Sequence, residues 1–318
     1  MADLIFESKK SLNTQNIKIT VFTATFNRAK TLIRTYDSIK NLCKPQIGND
    51  VLNFEWILVD DGSLDETSSL ARVWSDENSI PFRYYKQTNQ GKHVAMNFAV
   101  LHARGEFFVS IDSDDGILPN ALQIYMDSWY DIPEFMRQDY CGVSARAVGV
   151  DNVIVGEKLP YEPMDTTFTT LRLKYKIKGD FLEIFRVDIL KKYPFPEYDN
   201  RMRFCPECIS WFEMAKKYKI RAIDSPTLLY YHDDDVSLMK TRNIARSVSN
   251  YYLWLYYINN LNSYWFHCPL YLLKSYIGIT MDGFIANKRL STIISDCHSW
   301  RKLIVLACMP IGWILSKR

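Results

Sequence analysis

The sequence offers almost no net charge: 39 Lys and Arg stand against 36 Asp and Glu over 318 residues, a formal +3. That balance gives no reason to expect nucleic acid as a ligand. A disulfide framework is missing too. Seven cysteines lie scattered at 43, 141, 205, 208, 268, 297 and 308, an odd set unlike the paired spacings of small secreted scaffolds. Residues 1–18 hold no apolar core of signal-peptide length, so export is not expected and a reducing, cytoplasmic address is the default. A spanning helix needs ~20 apolar residues. The longest uninterrupted apolar run, 303–315, has only thirteen and contains Pro310 and Gly312. No internal repeat or low-complexity tract stands out.

What is present reads as an ordinary globular chain. Apolar residues make up 47% and charged residues 24%, enough to bury a core in one large domain or two modest ones. From residue 18 to about 148, short β-rich runs alternate with amphipathic segments. Residues 18–25 (KITVFTAT), 54–59 (FEWILV), 82–86 (FRYYK) and 107–111 (FFVSI) predict strands. Between them the spacing predicts a helix capped by Asn27 and carrying Leu32, Ile33, Tyr36, Ile39 and Leu42, a second over 66–74 and a third over about 93–103. This alternation implies an α/β fold with a mainly parallel central sheet flanked by helices. Further on, 181–186 and 228–231 predict strands and 207–218 a helix, and from about 243 the chain reads as helical and rich in aromatics.

In such sheets ligands bind outside the carboxyl ends of the strands, and three of these ends are polar. The fourth strand runs into Asp112-Ser113-Asp114-Asp115. Three carboxylates in four residues repel unless a cation neutralises them, and hard divalent ions take carboxylate and phosphate oxygens together. Asp112 and Asp114 would share a face if the extended geometry persists. A solvated acidic turn is the alternative. The second strand ends in Asp60-Asp61-Gly62-Ser63, where a carboxylate could accept from a nucleobase N–H or a ribose hydroxyl, while Ser63 or Asp65 caps the next helix. The third piece is Gly91-Lys92-His93 with Asn97: a glycine at a helix start that lets backbone approach an anion, or a turn glycine beside a surface lysine. No GxGxxG follows the first strand, which argues against a dinucleotide-dependent dehydrogenase.

Taken in order, these pieces resemble the family-2 glycosyltransferases, inverting enzymes of GT-A fold. The resemblance covers residues 19–115, about a third of the chain. It runs through Thr23-Ala24-Thr25-Phe26-Asn27-Arg28, then Trp56 to Ser63 with Asp65 and Thr67. Asn89-Gln90-Gly91-Lys92 with Ala95 and Asn97 follow, then Arg104-Gly105-Glu106 and the acidic tetrapeptide. It implies donor contacts from Thr25, Phe26, Arg28, Asp60, Asp61, Lys92, Asn97, Asp112 and Ser113, with Asp61 reading uracil or another base. The acidic tetrapeptide would be the family's DXD element, with Asp112, Asp114 and Asp115 holding Mn²⁺ or Mg²⁺ against the sugar-nucleotide diphosphate. Inversion needs a carboxylate opposite the leaving group. Arg203-Phe204-Cys205-Pro206-Glu207-Cys208 resembles the Pro-Glu helix start of one branch of the family, which nominates Glu207. Cys208 stands where a second acid is commoner, and an acid that merely complements the helix dipole is the alternative. Asp180, with Glu183 behind it, is the further donor-sugar or acceptor candidate, and His232 a third metal ligand by analogy. Cys205 and Cys208 form a CxxC without two further ligands, so they read as plain thiols.

The expected organisation is a catalytic domain over 1–240, its nucleotide-sugar half at 18–120 and its acceptor half at 121–240, followed by a helical extension over 241–318. Residues 264–318 carry seven basic side chains against two acids, so the segment sums to +5 and the first 263 residues to −2. With its aromatics, that segment suits a membrane headgroup region, or a helical extension packed on its own domain or on a second subunit of a homo-oligomer. The expected activity is metal-assisted, inverting transfer of a sugar from a nucleotide-diphosphate donor, most simply a UDP-sugar, to a glycan or lipid-linked glycan. It would take place in the cytoplasm or at the inner face of the cell membrane. A degenerate sugar-nucleotide-binding scaffold and a nucleotidyltransferase of similar fold are the competing readings.

Overall fold

The computed structural model describes residues 2–43, 52–231 and 243–317. Strand β1 (Asp3–Glu7) and helix α1 (Lys9–Asn13) lead into β2 (Ile19–Thr25), α2 (Ala29–Asn41), β3 (Phe54–Asp60), α3 (Thr67–Glu77), β4 (Phe82–Lys86), α4 (Lys92–His102) and β5 (Phe107–Ser110). The apolar runs locate β2 to β5 to within one residue at either end. They do so because these strands are covered on both faces and so are apolar almost throughout. They pair in parallel in the order β4-β3-β2-β5. After β2 the chain steps outward to β3 and β4, then returns to place β5 on the other side. The crevice for a ligand opens at that reversal.

The second half comprises β6 (Gly116–Ile117), α5 (Ala121–Tyr130), β7 (Tyr140–Gly149), β8 (Met164–Thr166), β9 (Phe181–Arg186), α6 (Val187–Leu190), α7 (Cys208–Met214) and β10 (Lys219–Tyr230). It extends the sheet as β5-β9-β7-β10-β6, with β8 also on β10. Here β9 lies antiparallel to both β5 and β7. The sheet is therefore mixed, the parallel run of its first half being continued by antiparallel pairs. A parallel pair needs a covering crossover; α2, α3 and α4 supply one after each strand of the first half, whereas in the second half β7 and β10 pair in parallel beside antiparallel neighbours. Strand β7 was not expected, since Gly142, Ser144 and Arg146 interrupt its apolar pattern, yet all ten of its residues are buried. Those polar side chains have partners: Ser144 donates to Glu183 at 3.1 Å, and Arg146 to Asp224 at 3.0 Å. Strand β10 is likewise longer, and α7 shorter, than the sequence implied.

Four further helices follow: α8 (Ile244–Asn260), α9 (Pro269–Ile285), α10 (Leu290–Asp296) and α11 (Arg301–Ser316). Val248, Tyr256 and Tyr257 of α8 share a core cluster with Ala95 and Met96 of α4 and with Ile209 and Phe212 of α7. A smaller cluster joins Tyr251, Tyr276, Ile279, Ile293 and Val305 across all four helices. Helix α11 approaches α9 so closely at Gly312 that a Cβ there would stand 1.8 Å from the Thr280 hydroxyl. Among the described residues no helix is long and apolar enough to cross a membrane.

Candidate active site

The loops after β2 and β3 are built around one another. Asn27 adopts a left-handed φ of 52°, and its side chain accepts from the Leu64 N–H at 2.9 Å. It therefore does not cap α2. That task falls to Asp65, whose carboxylate accepts from the Ala29 N–H at 2.9 Å with one oxygen and from the Thr67 N–H at 3.1 Å with the other. One side chain thus satisfies the first turns of both α2 and α3. Burial opposes its charge, but the bonds from Thr67 and Ala29 outweigh it and hold the Asp65 carboxyl below the usual range.

Asp60 and Asp61 are also committed to the scaffold. Asp60 is fully buried, accepting from the Ser63 N–H at 2.7 Å and the Tyr84 hydroxyl at 2.6 Å. Asp61 accepts from Gln87 Nε2 at 2.7 Å and from the backbone N–H groups of Gln90 and Gly91, both at 2.8 Å. It therefore fixes the loop that starts α4. Gly91 has φ of 100°, and a Cβ there would lie 2.4 Å from the Arg203 carbonyl. Only glycine lets the segment ahead of α7 cross this close. Thr25 keeps a buried hydroxyl with no partner among the described residues, while Phe26 is 44% exposed at the crevice.

Strand β5 ends at Ser110, and residues 112–115 form a turn closed by the Asp115 N–H donating to the Asp112 carbonyl at 3.1 Å. Strand alternation therefore does not align the acids; the turn does. One oxygen each of Asp112, Asp114 and Asp115 lies within 4.8 Å of the others. This compact set of hard oxygen donors fits Mg²⁺ or Mn²⁺. Cations of the chain flank it. Arg28 pairs with Asp114 at 2.8 Å, and Arg34 donates to the Asp114 carbonyl while its guanidinium stacks 4.0 Å from the Tyr231 ring centre. Burial, with the charges of Asp112 and Asp114 added, pushes the Asp115 carboxyl up to about 8. Ser113 is buried in the same turn.

Lys92 joins the acidic turn to the nominated base. Its ammonium lies 2.5 Å from Asp112 and 2.9 Å from Glu207. Burial works against this charge, but the two carboxylates outweigh it and raise the lysine above its ordinary value. Glu207 occupies the N-cap of α7 without accepting a capping bond, so its carboxylate is turned to Lys92 rather than to its own helix. Lys92, Asp112, Asp115, Asp180, Glu183 and Glu207 all line one cavity of about 420 Å³. Burial pushes the Glu183 carboxyl up to about 7, lowered in part by Arg172 and raised again by Glu207. Phe204, Trp211 and Tyr230 add an aromatic wall that sequence reasoning missed, because those rings look like any other core residues. Trp211 packs on Phe185 with centroids 4.5 Å apart and the rings tilted by 40°.

Other expected residues fall elsewhere. Asn97 lies outside this cavity, donating to the Phe195 carbonyl at 2.8 Å and to Glu197 at 3.0 Å. His232 lies outside the described residues. Cys205 and Cys208 are free, and burial pushes their thiols up to about 12 and about 11, so neither is poised as a thiolate.

A family model described as glycosyl transferase family 2 matches residues 20–193. A GalNAc(5)-diNAcBac-PP-undecaprenol beta-1,3-glucosyltransferase of Campylobacter jejuni is 24% identical over 242 residues, covering 74% of this chain and 72% of that protein. An uncharacterized glycosyltransferase of Rickettsia felis is 24% identical over 210 residues, and the match spans only 32% of its length. Among solved structures, S. aureus TarS residues 1–349 with UDP-GlcNAc superposes with a TM-score of 0.56 at 16% identity, covering 93% of this chain and 80% of that one. The mannosyltransferase PcManGT of Pyrobaculum calidifontis, with GDP-Man and Mn²⁺, gives 0.52 at 17% identity, covering 98% and 86%. With more than half of its length matched by the family model and its sheet laid out as in these GT-A neighbours, the chain belongs to glycosyl transferase family 2.

Proposed function

We propose that the chain transfers a sugar, with inversion, from a nucleotide-diphosphate donor, most simply a UDP-sugar, to a hydroxyl of a lipid-linked glycan at the cytoplasmic face of a membrane. The observation that carries this reading is the single ammonium of Lys92 shared by Asp112 of the acidic turn and Glu207 across one cavity. The UDP-GlcNAc and GDP-Man complexes of the structural neighbours, and the undecaprenol-linked acceptor in the Campylobacter enzyme's name, support the substrate classes.

In the reaction the anomeric carbon's bond to the diphosphate oxygen breaks, and a bond to the acceptor oxygen forms on the opposite face. The acceptor hydroxyl gives its proton to the Glu207 carboxylate. Lys92 fixes that carboxylate in the cavity, and its positive charge favours the ionised form that can accept a proton. Arg28 and Lys92 supply positive charge beside the site where the departing diphosphate develops negative charge. Asp180 and Glu183, which line the same cavity, would accept from sugar hydroxyls, and the aromatic wall would offer an apolar face to a sugar ring. Phe26 and Arg28 would lie near the base, with Thr25 behind them and Asp60 and Asp61 holding the loops it meets. Mn²⁺ or Mg²⁺ bound by Asp112, Asp114 and Asp115, with His232 as a further ligand, would neutralise the leaving diphosphate. The working division is a nucleotide-sugar half over 18–120, an acceptor half over 121–240 and a helical extension over 241–318.

The test is a panel of UDP- and GDP-sugars with Mn²⁺, read first by thermal shift and then by nucleotide release with polyprenyl-diphosphate glycan acceptors. A true donor at about a hundred times its dissociation constant stabilises the fold by about 2.7 kcal/mol. Release of nucleoside diphosphate only when acceptor is present supports the reading. Donor binding without release under any acceptor favours a scaffold, and products carrying a new diphosphate bond favour a nucleotidyltransferase.

A further inference from the structure

Helix α11 is apolar on both of its faces. Its packed side buries only Val305 and Gly312 against the rest of the bundle. The opposite side carries Leu303 (69% exposed), Leu306 (42%), Ile311 (50%), Trp313 (53%) and Ile314 (52%). At 3.6 residues per turn these positions fall on one side of the helix, opposite Val305 and Gly312, so they form one broad stripe along it. A helix that is apolar all round is normally enclosed on every side, and here one side is left largely exposed among the described residues.

The charge around the stripe identifies what covers it. Between residues 243 and 317 the only acids are Asp282 and Asp296, and both are turned into the bundle. Asp282 accepts from Trp254 Nε1 at 2.8 Å, and Asp296 from the Tyr251 hydroxyl at 2.6 Å. Lys302 stands near one end of the stripe and Lys317 at the other, with Trp300, 57% exposed, just ahead of the helix. An apolar stripe with cations at its ends, on a helical segment whose two acids are bonded into the bundle, complements lipid phosphates. A second copy docked across a two-fold would instead bring like charges together. With 16 residues, α11 is roughly 24 Å long, short of the ~30 Å hydrocarbon layer.

We infer that α11 lies along an anionic membrane surface, with its Leu303–Ile314 side sunk among the acyl chains and Lys302 and Lys317 at the phosphates. This gives the lipid-linked acceptor reading, on which its purpose rests, a physical means of bringing the cavity to its substrate.

The test mixes the full chain with vesicles of phosphatidylcholine containing phosphatidylglycerol, or of phosphatidylcholine alone, and measures cosedimentation. No donor or acceptor is added, so failure here is separable from failure of the transfer reading. Binding is expected on the anionic vesicles and weaker on the neutral ones, falling as salt rises. Lys302→Ala with Lys317→Ala should weaken anionic binding about thirtyfold and leave neutral binding unchanged. Leu306→Glu with Ile314→Glu, both at exposed positions, should abolish binding to either vesicle while the melting temperature holds. No cosedimentation overturns the inference, as does binding indifferent to both double variants. A dimer at sedimentation equilibrium that Leu306→Glu with Ile314→Glu dissolves would also overturn it, by assigning the stripe to a second copy.

Discussion

At the scale of single residues, the shared ammonium of Lys92 makes separable predictions. Glu207→Gln removes the proton acceptor and should lower the turnover number by roughly 10²–10⁴-fold, with donor-induced stabilisation retained. Lys92→Met should also slow transfer. In addition it should tighten Mn²⁺ binding, measured by electron paramagnetic resonance, because no ammonium then competes for Asp112. A variant at Asp114 is the complementary test: full transfer by Asp114→Asn would remove that carboxylate from the metal's ligands. Glu183 predicts a pH effect. Its folded value of about 7 stands above the ordinary 4.5 because burial disfavours the charge. The fold therefore favours the neutral acid, and the contribution is present below 4.5 and lost as pH rises through about 7. That loss is worth at most about 3 kcal/mol. Urea unfolding at pH 5 and pH 8 should show wild type losing more stability than Glu183→Gln; equal losses would refute the assignment.

At the scale of elements, close backbone crossings carry the predictions. Gly91→Ala would place a methyl group against the Arg203 carbonyl and force a non-glycine residue to φ near 100°. It should cost about 1–3 kcal/mol and, by displacing the segment before α7, reduce transfer more than it reduces donor binding. Gly312→Val should wedge α11 off α9 and expose its connection to limited proteolysis, leaving donor affinity intact. The parallel strands were legible because burial on both faces makes them continuous apolar runs with polar ends. Glu55 is the instructive exception inside one of them. It is fully buried, pairs with Arg83 at 2.6 Å and accepts from Thr20 and the Arg104 N–H at 2.8 Å. A partner set drawn from three other segments leaves no mark in local sequence. The same holds for β7, whose Ser144 and Arg146 find partners far along the chain, and for the aromatic wall of the cavity. The ordered motifs did single out Lys92, Asp112 and Glu207. They could not reveal that one nitrogen would touch both acids, since 115 residues separate Lys92 from Glu207.

At the scale of the whole molecule, α8 is part of the same apolar cluster as α4 and α7. Scanning calorimetry should therefore show one cooperative transition for the full chain, and two resolved transitions would make the C-terminal helices an independent unit. The charge arithmetic of the sequence also acquires a geometry. Three acids, Asp112, Asp114 and Asp115, converge on one turn, whereas Asp282 and Asp296 of the last helices are bonded into the bundle. The Asp65 carboxylate, finally, restricts how this enzyme can be re-engineered. Because it caps α2 and α3 together, grafting a relative's 26–28 loop onto this chain without its 60–67 loop, or the reverse, would strand a helix start without its acceptor. Donor-specificity chimeras should therefore exchange the two loops as a single cassette.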